Sequence, residues 1–268
     1  MPGARPGPDP VVFIGTSGWQ YRDWRGSFYP EKLPQRLWLE HYVKSFQTVE
    51  LNNAFYRLPA AETFAGWRRR TPRGFVMAVK ASRYLTHIKR LKDPGEPVGR
   101  FMDQARNLGP KLGPVLIQLP PGFHVDAARL ADTLSRFPAR VRLAVEVRHD
   151  SWLTDEVREL LRERGAAFCL ADSPWRRLPL WRTADWGFLR LHEGKGEPRP
   201  CYQRAALDSW AGSLAETWDP TEDVFVYFNN DHRCCAVHDA VVFAELVARR
   251  GLRPSRVPEP DQVRVVGT

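Results

Sequence analysis

Eight strand-like segments alternate with helical segments along almost the whole sequence, and this alternation restricts the possible folds more than any other feature. The strand-like segments are short apolar runs, and they lie at Val11–Gly15, Thr48–Asn52, Phe75–Lys80, Pro114–Leu119, Arg142–Arg148, Ala166–Ala171, Gly187–His192 and Val224–Asn229. Between most of them, apolar residues recur at the spacing of an amphipathic helix. Strands that alternate with helices in this way predict parallel strands joined by helical crossovers.

Eight such units in roughly 250 residues predict an α/β fold built as a single (β/α)8 TIM-like barrel with irregular loops at its C-terminal rim. An open doubly wound sheet is the alternative, but the first strand of a nucleotide-binding sheet usually ends in a G-x-G-x-x-G turn. Here it ends in Gly15-Thr16-Ser17-Gly18-Trp19, which does not match. We predict a disordered, proline-rich lead-in at residues 1–10, one barrel domain at 11–250 and a peripheral tail at 251–268.

The charge of the chain indicates the class of its partner. The sequence has 40 lysine and arginine residues against 31 aspartate and glutamate residues, which gives a formal net charge of +9. Such an excess favours an anionic small molecule, for example a phosphorylated metabolite, or nucleic acid. The alternative is that the base composition of the genome sets the arginine content, because only seven of the 40 are lysine.

Hydropathy and cysteine spacing bear on location. No apolar run approaches the length of a membrane-spanning helix, so no membrane association is expected. The four cysteines form no C-x-x-C pair, which predicts a cytoplasmic protein without a disulfide framework. The adjacent Cys234 and Cys235 lie near His232 and His238, a combination that could suit a soft metal ion, but chance proximity in a loop is the favoured explanation.

Polar residues fall near the C-terminal ends of the predicted strands, whereas the N-terminal halves are apolar. Active sites of such barrels lie at the C-terminal ends of the strands. We therefore expect these side chains to meet in one pocket above an apolar interior. The predicted catalytic residues are Glu50, Lys80, Glu146, Asp172 and His192.

A second set of residues is predicted to bind the substrate, because these residues supply amide, hydroxyl, aromatic or basic groups at the same rim. They are Asn52, Tyr56, Arg57, Arg83, His87, Gln118, Arg148, Arg190, Asn229, Asn230, Thr16, Ser17 and Trp19. The alternative is an internal ion-pair network that only supports the fold. A network of this size would add little net stability, because the cost of desolvating buried ion pairs often cancels their attraction.

Several motifs follow one another in an order that resembles the YecE-like family of domains of unknown function. The matching residues are Gly15-Thr16-Ser17-Gly18-Trp19, Tyr21, Trp24, Gly26, Phe28-Tyr29-Pro30, Thr48-Val49-Glu50, Asn52, Phe55-Tyr56-Arg57-Leu58-Pro59, Trp67, Lys80, Arg83, Thr86-His87, Leu119-Pro120-Pro121, Glu146, Arg148, Ser151-Trp152, Asp172, His192 and Phe228-Asn229-Asn230. The chain departs from the family pattern at Ala54, Glu193 and Asp239. The resemblance implies a TIM-type barrel, and it implies no established activity.

The residues themselves lead to a first functional hypothesis. It is an enzyme that acts on an anionic, phosphorylated or nucleic-acid-like substrate by acid–base or metal-assisted hydrolysis. Basic residues would hold the phosphate, while Glu50, Glu146 or Asp172 acts as a base or a metal ligand and His192 as an acid or a ligand. Such a donor set could hold Mg²⁺, Mn²⁺ or Zn²⁺, although no established ligand spacing is present.

Two alternatives remain open. Lys80 follows apolar residues on its strand, so desolvation could lower the pKa of its amine and suit it to Schiff-base chemistry in a lyase or isomerase. Nearby carboxylates would oppose this by favouring the ammonium form. The other alternative is a non-catalytic nucleic-acid-binding protein that uses the basic surface.

Overall fold

The computed structural model describes residues 12–173 and 178–265, and it confirms an α/β fold with parallel strands. One sheet contains β2, β3, β4, β5 and β6 in that order, and the other contains β1, β9, β8 and β7. The strands are β1 (Val12–Thr16), β2 (Thr48–Leu51), β3 (Val76–Lys80), β4 (Leu112–Gln118), β5 (Leu143–Glu146), β6 (Ala167–Phe168), β7 (Leu170–Asp172), β8 (Gly187–Leu191) and β9 (Val224–Phe228). The predicted sixth strand is split at Cys169, so that one half belongs to each sheet.

Helices cover the outer faces of the sheets. They are α1 (Trp38–Ser45), α2 (Asn53–Tyr56), α3 (Ala61–Arg70), α4 (Gly95–Ala105), α5 (Ala127–Arg136), α6 (Asp155–Glu163), α7 (Arg204–Thr217) and α8 (Cys235–Arg249). Side-chain caps begin two of them: Asp126 accepts a hydrogen bond at the start of α5, and Thr154 does so at the start of α6. No helix in the described ranges combines the length and apolar character needed to cross a membrane.

Two apolar layers hold the strands in place. Ala78, Leu116, Ala144, Phe188 and Phe225 form part of a small buried cluster inside the curved sheets. A much larger cluster fills the space between the strands and the surrounding helices. Because strands buried on both faces need apolar residues on both, their sequences read as nearly continuous hydrophobic runs.

The two sheets meet at a seam between β1 and β2 that carries no backbone ladder among the described residues. The Tyr42 hydroxyl accepts a hydrogen bond from the Thr16 amide at 3.1 Å and donates one to the Thr48 carbonyl at 3.0 Å. Gly15 permits this approach, since an added Cβ would lie 2.5 Å from the Thr48 carbonyl oxygen. A side chain thus replaces the missing ladder bond at this point.

The C-terminal segment completes the same edge of β1. The Val12 amide donates to the Arg253 carbonyl at 2.9 Å, and the Ile14 amide donates to the Ser255 hydroxyl at 2.9 Å. Ser255 is buried, and its own amide donates back to the Val12 carbonyl. The described part of the tail, which the sequence places at the periphery, is therefore bonded to the first strand.

A disulfide joins Cys201, in the loop after β8, to Cys235 at the start of α8. The expectation of no disulfide was wrong. The two residues are 34 positions apart, and pairing over such a distance depends on the fold rather than on any local spacing. Cys169 and Cys234 are buried free thiols.

Candidate active site

A cavity of about 870 Å³ opens at the C-terminal ends of the strands. Eleven of the eighteen residues predicted from the sequence line it, and they come from both sheets. These are Ser17, Trp19, Asn52, Tyr56, Lys80, Arg83, His87, Gln118, Arg148, Arg190 and Asn229. The parallel arrangement brings them together because all strands deliver their C-terminal ends to the same side.

A buried arginine forms the floor of this cavity. The Arg190 side chain is 2% exposed and lies between two carboxylates, 2.8 Å from Glu50 and 2.7 Å from Glu146. Ser17 donates a further hydrogen bond of 2.6 Å to Glu50. Burial works against the Arg190 cation, but the two carboxylates raise its pKa above the usual value. Arg190 therefore remains a cation between the two carboxylates.

Glu146 is the most highly connected acid of the site. Its Oε1 atom accepts hydrogen bonds of 2.9 Å from both Gln118 and Arg148, and His192 Nε2 lies 3.4 Å from the same oxygen. Burial favours the neutral acid, yet Arg190, His192 and Arg148 hold the pKa of Glu146 well below its usual range. A carboxylate stabilised in this way is a poor proton acceptor.

Lys80 lies on the wall of the cavity without a carboxylate at ion-pair distance among the described residues. Its ammonium nitrogen is 3.9 Å from the centre of the Phe55 ring. Burial and the nearby Arg190 cation lower its pKa to about 8, and Glu50 and Glu146 oppose that change only in part. At neutral pH the amine is mainly protonated, but a proton can leave it readily.

Two further titratable groups in the cavity are neutral at pH 7. Burial and the charges of Lys80 and Arg148 lower the pKa of His87 to about 4. Burial raises the pKa of Asp231 to about 8, with a smaller contribution from the Glu50 charge. Asp231 Oδ1 is shielded from solvent and has no hydrogen-bond partner among the described residues. This acid can therefore donate a proton or a hydrogen bond to a bound molecule.

Sequence reasoning missed Asp231 because the residue lies in the loop beyond β9, one position after the last residue assigned to the site. Its only sequence signal was its place directly after Asn229 and Asn230. Phe55, which lies against the Lys80 ammonium, was also missed as a site residue. A buried aromatic residue such as Phe55, in the short helix α2, is usually interpreted as a packing residue.

The charges of the cavity do not cancel. Lys80, Arg83, Arg148 and Arg190 line it as cations, while Glu50 and Glu146 lie against Arg190 and Arg148. Two carboxylates match two arginines. The cations of Lys80 and Arg83 are left over, since no ion pair among the described residues engages them.

Asp172 does not line the cavity, so the structure does not bring it together with the other predicted catalytic residues. The interior face of the sixth strand carries Ala167 and Cys169, whereas Phe168 belongs to the outer core. Asp172 lies half-buried on the outer side, where its carboxylate interacts with Tyr202. Burial is the main cause that raises the pKa of the Tyr202 phenol, and the charge of Asp172 raises it further. Alternation could not identify the inner face, because both faces of this strand are apolar.

Two of the predicted residues support the site from behind rather than lining it. His192 stands behind Glu146, and its Nδ1 atom is 3.0 Å from the Asn229 side chain. The Thr16 hydroxyl donates to the Gly18 carbonyl at 2.6 Å and contacts the Tyr42 hydroxyl, so it belongs to the seam between β1 and β2.

Two other predicted residues lie elsewhere. Arg57 is exposed and lines a separate groove with Arg100. Asn230 is buried and donates to the Asp239 carboxylate at 2.7 Å and to the Pro200 carbonyl at 3.0 Å. Asn229 lines the cavity, whereas the adjacent Asn230 points away from it. Position in the sequence alone does not reveal this difference.

The cavity does not fit a divalent metal ion. Glu50 and Glu146, which would be the oxygen ligands, are each occupied by the Arg190 guanidinium. In the described residues, no three histidine, cysteine or acidic donors converge in the cavity. The Arg190 guanidinium occupies the position between Glu50 and Glu146 that a metal ion would need.

Comparison with known proteins gives a consistent picture. The family described as "Protein of unknown function DUF72" matches residues 13–262. The UPF0759 protein YunF of Bacillus subtilis is 26% identical over 92% of this chain and 99% of its own length. The UPF0759 protein YecE of Escherichia coli is 27% identical over 58% of this chain and 55% of its length.

Solved structures share the architecture. A DUF72 family protein from Thermotoga maritima is 30% identical, with a TM-score of 0.79 over 89% of this chain and 99% of that one. A DUF72 family protein from Enterococcus faecalis is 17% identical and has a TM-score of 0.74 over 89% and 96%, which is a likeness of fold alone. The match of almost the whole sequence shows that this chain belongs to the DUF72 family, with YecE and YunF among its relatives.

Proposed function

We propose that this protein is an enzyme that hydrolyses a phosphorylated small molecule in the cavity by acid–base chemistry. The observation that carries the proposal is the combination of two uncompensated cations, Lys80 and Arg83, with the protonated acid Asp231 in one cavity. The cations would hold the phosphoryl oxygens. Water would bond to phosphorus as the bond from phosphorus to the leaving oxygen breaks, and Asp231 would give its proton to that oxygen. The proton lost by the attacking water would pass to the phosphate product and to solvent, from which Asp231 regains its proton.

This division of roles agrees with the chemistry of phosphoryl transfer. The transition state is loose and spreads negative charge over the phosphoryl oxygens, so catalysis depends mainly on positioning and on preorganised positive charge. A strong general base is not required. The buried Glu50 and Glu146 would then serve to fix Arg190 and Arg148 at the floor of the cavity rather than to accept protons.

Features of the network support a binding site over a purely structural ion cluster. Glu50 Oε1 and Arg190 Nε are buried and have no hydrogen-bond partner among the described residues. A cluster that only stabilised the fold would be expected to satisfy such atoms internally, because unpaired buried polar groups cost free energy. We favour a small molecule over nucleic acid as the partner because the uncompensated cations line a cavity.

The test is phosphate release from a panel of phosphate monoesters by the full chain and three variants. Lys80→Met and Arg83→Met are expected to lower kcat/KM by at least about tenfold, the effect of losing one charge-assisted contact. Arg57→Met is the matched control, since this exposed arginine lies in a separate groove. The proposal fails if no monoester is hydrolysed, or if Arg57→Met lowers kcat/KM as much as Arg83→Met.

Schiff-base chemistry at Lys80 is the second candidate, and the lowered pKa of its amine favours it. With a pKa of about 8, roughly a tenth of the amine is neutral at pH 7. The neutral amine would add to a carbonyl carbon and expel water to form an imine. Borohydride reduces such an imine to a stable secondary amine, so a mass increase on Lys80 with an anionic carbonyl substrate would support this candidate. Absence of any adduct across a broad panel would eliminate it.

We also infer that the two sheets act as one (β/α)8 barrel and that the protein works in the cytoplasm. Support for the barrel comes from Tyr42, which bridges β1 and β2, and from the direct continuation of β6 into β7. Support for the location comes from the free thiols Cys169 and Cys234, and this location requires the Cys201–Cys235 disulfide to be reduced there.

A further inference from the structure

Four potential metal ligands meet on the outer side of the fold, at the start of α8. Cys235, His238 and Asp239 share one face of this helix, because they are three and four positions apart. Cys201 approaches the same face from the loop after β8, and it is bonded to Cys235. The group lies apart from the cavity that contains Lys80 and Asp231.

The donor atoms lie almost close enough for one ion. Ligand atoms of Cys201, His238 and Asp239 lie within 4.8 Å of one another. A tetrahedral Zn²⁺ has bonds of about 2.3 Å to sulfur and about 2.0 Å to nitrogen or oxygen, which places its ligands about 3.3–3.8 Å apart. Contraction by about 1 Å, together with separation of the two sulfur atoms, would complete this geometry.

We propose that reduction of the Cys201–Cys235 disulfide creates a zinc site formed by Cys201, Cys235, His238 and Asp239. A dithiol reductant supplies two electrons and two protons and becomes a disulfide itself, while the protein disulfide becomes two thiols. When Zn²⁺ binds, both thiols release their protons to solvent, and the ion receives two thiolates, an imidazole nitrogen and a carboxylate oxygen. This soft, mixed ligand set is one that zinc prefers.

Hydrogen bonds already hold the carboxylate in a suitable orientation. Asp239 Oδ2 accepts from the Tyr202 amide at 2.8 Å and from the Asn230 side chain at 2.7 Å. Its other oxygen, Oδ1, is 3.1 Å from His238 Nδ1. Zinc would replace the proton between these two atoms. Outer hydrogen bonds of this kind orient metal ligands and strengthen binding.

Burial and helix position favour the same outcome. Cys235 and Asp239 are fully buried, whereas the His238 side chain is 42% exposed and provides the route from solvent. Cys235 is the first residue of α8, three and four positions before the other two ligands that this helix contributes. A reducing compartment would thus convert the disulfide into a mostly buried site that a metal ion can enter on the His238 side.

The experiment measures zinc bound per chain after dialysis, with the full chain either oxidised or kept reduced by a dithiol. One equivalent is expected in the reduced protein and none in the oxidised protein. Replacing Zn²⁺ by Co²⁺ should add the absorption of thiolate-to-metal charge transfer, which reports sulfur ligation directly. Equal binding by both redox forms, or no binding by the reduced form, would overturn the proposal.

Two variants and one control assign the ligands. Cys201→Ser should abolish the bound equivalent, whereas Cys234→Ser should keep it, because Cys234 is a buried free thiol next to the cluster but outside it. If Cys201→Ser does not fold, His238→Ala replaces a half-exposed residue and should weaken binding by more than the 10- to 100-fold typical of an outer-shell change. Loss of zinc in Cys234→Ser with retention in Cys201→Ser or His238→Ala would contradict the assignment.

Discussion

Lys80 is a buried cation whose charge lowers the stability of the folded protein. Its pKa falls from 10.5 to about 8 because burial and Arg190 disfavour the ammonium ion more than Glu50 and Glu146 favour it. At about 1.4 kcal/mol per pKa unit, the folded state at pH 7 loses about 3 kcal/mol by keeping this charge. The amine is retained in a position where a neutral side chain would be more stable, which is typical of functional residues.

Lys80→Met should therefore stabilise the protein while removing anion binding. The free energy of unfolding at pH 7, measured by urea denaturation, is expected to rise by about 1–3 kcal/mol. The sign follows from the depressed pKa: between about pH 8 and 10.5 the unfolded chain binds more protons than the folded chain, so wild-type stability rises with pH in that window. The variant should lose this rise. Arg83→Met, at an exposed position, is the control and should leave stability unchanged.

Asp231 and Lys80 are predicted to control the pH dependence of phosphate release together, because the pKa of each is about 8. The acid is protonated below its pKa of about 8, so hydrolysis should proceed at neutral pH and decline as the pH rises through 8. Asp231→Asn keeps the shape and removes the proton donor. We expect kcat to fall by about 100-fold or more, with inorganic phosphate still bound as tightly as in the wild type. Unchanged kcat in this variant would remove Asp231 from the mechanism.

At the level of secondary structure elements, the buried charges connect strands that are not neighbours. Arg190 on β8 joins Glu50 on β2 to Glu146 on β5 across the interior. Gln118, at the end of β4, and Arg148, in the loop after β5, join the same group. These contacts fix the relative positions of both sheets at the end where the cavity lies, so the network sets the shape of the floor.

Removing the central arginine should be far more harmful than removing the peripheral one. Arg190→Met leaves two buried carboxylates without their cation, and unfolding free energy should drop by about 3–5 kcal/mol at pH 7. Arg148→Met removes a side chain that is 39% exposed and should cost less than about 1 kcal/mol. Chemical denaturation of both variants provides the comparison, and equal losses would mean that the network is not centred on Arg190.

Acid should weaken the same network through Glu146. Its pKa is depressed in the folded protein, so it contributes stability at pH values above its unfolded pKa near 4.5. That contribution disappears as the pH falls through the folded value. Glu146→Gln should therefore flatten the decline of thermal stability in the acid range. A decline identical to that of the wild type would show that other carboxylates dominate acid unfolding.

The seam between β1 and β2 depends on one hydroxyl. Tyr42→Phe leaves the Thr16 amide and the Thr48 carbonyl without this partner, and we expect a loss of about 1–3 kcal/mol in unfolding free energy. Hydrogen exchange at the Thr16 amide should accelerate. Tyr29→Phe is the matched control, since this buried hydroxyl donates to the Trp19 carbonyl away from the seam. Thr16 exchange that speeds up equally in both variants would contradict the bridging role.

For the whole molecule, the sequence predicted what depends on local pattern and missed what depends on distant contacts. Alternating strands and helices identified the parallel α/β fold, and strand-end polarity located Glu50, Lys80 and Glu146. The sequence could not show which face of the sixth strand points inward, because apolar residues occupy both faces. This is why the sequence places Asp172 at the cavity, which it does not line.

Other features had no local signal at all. The Cys201–Cys235 disulfide and the Tyr42 bridge each join segments that only the completed fold brings together. Asp231 becomes notable only when its burial is known, since an exposed aspartate in a loop is ordinary. Long-range proximity and burial are properties of packing, and short-range residue patterns encode them weakly.

The bonding of β1 also determines when the protein can finish folding. One edge of β1 pairs with β9, and the other donates the Ile14 amide to Ser255, 241 positions later in the chain. Contacts over such separations form slowly, because the closure of long loops must precede them. During synthesis on a ribosome, β1 therefore leaves the exit tunnel as an unpaired apolar strand. Tyr42 becomes available early, but β1 can gain its ladder with β9 only when nearly the entire chain has been translated, and until then that edge stays unpaired.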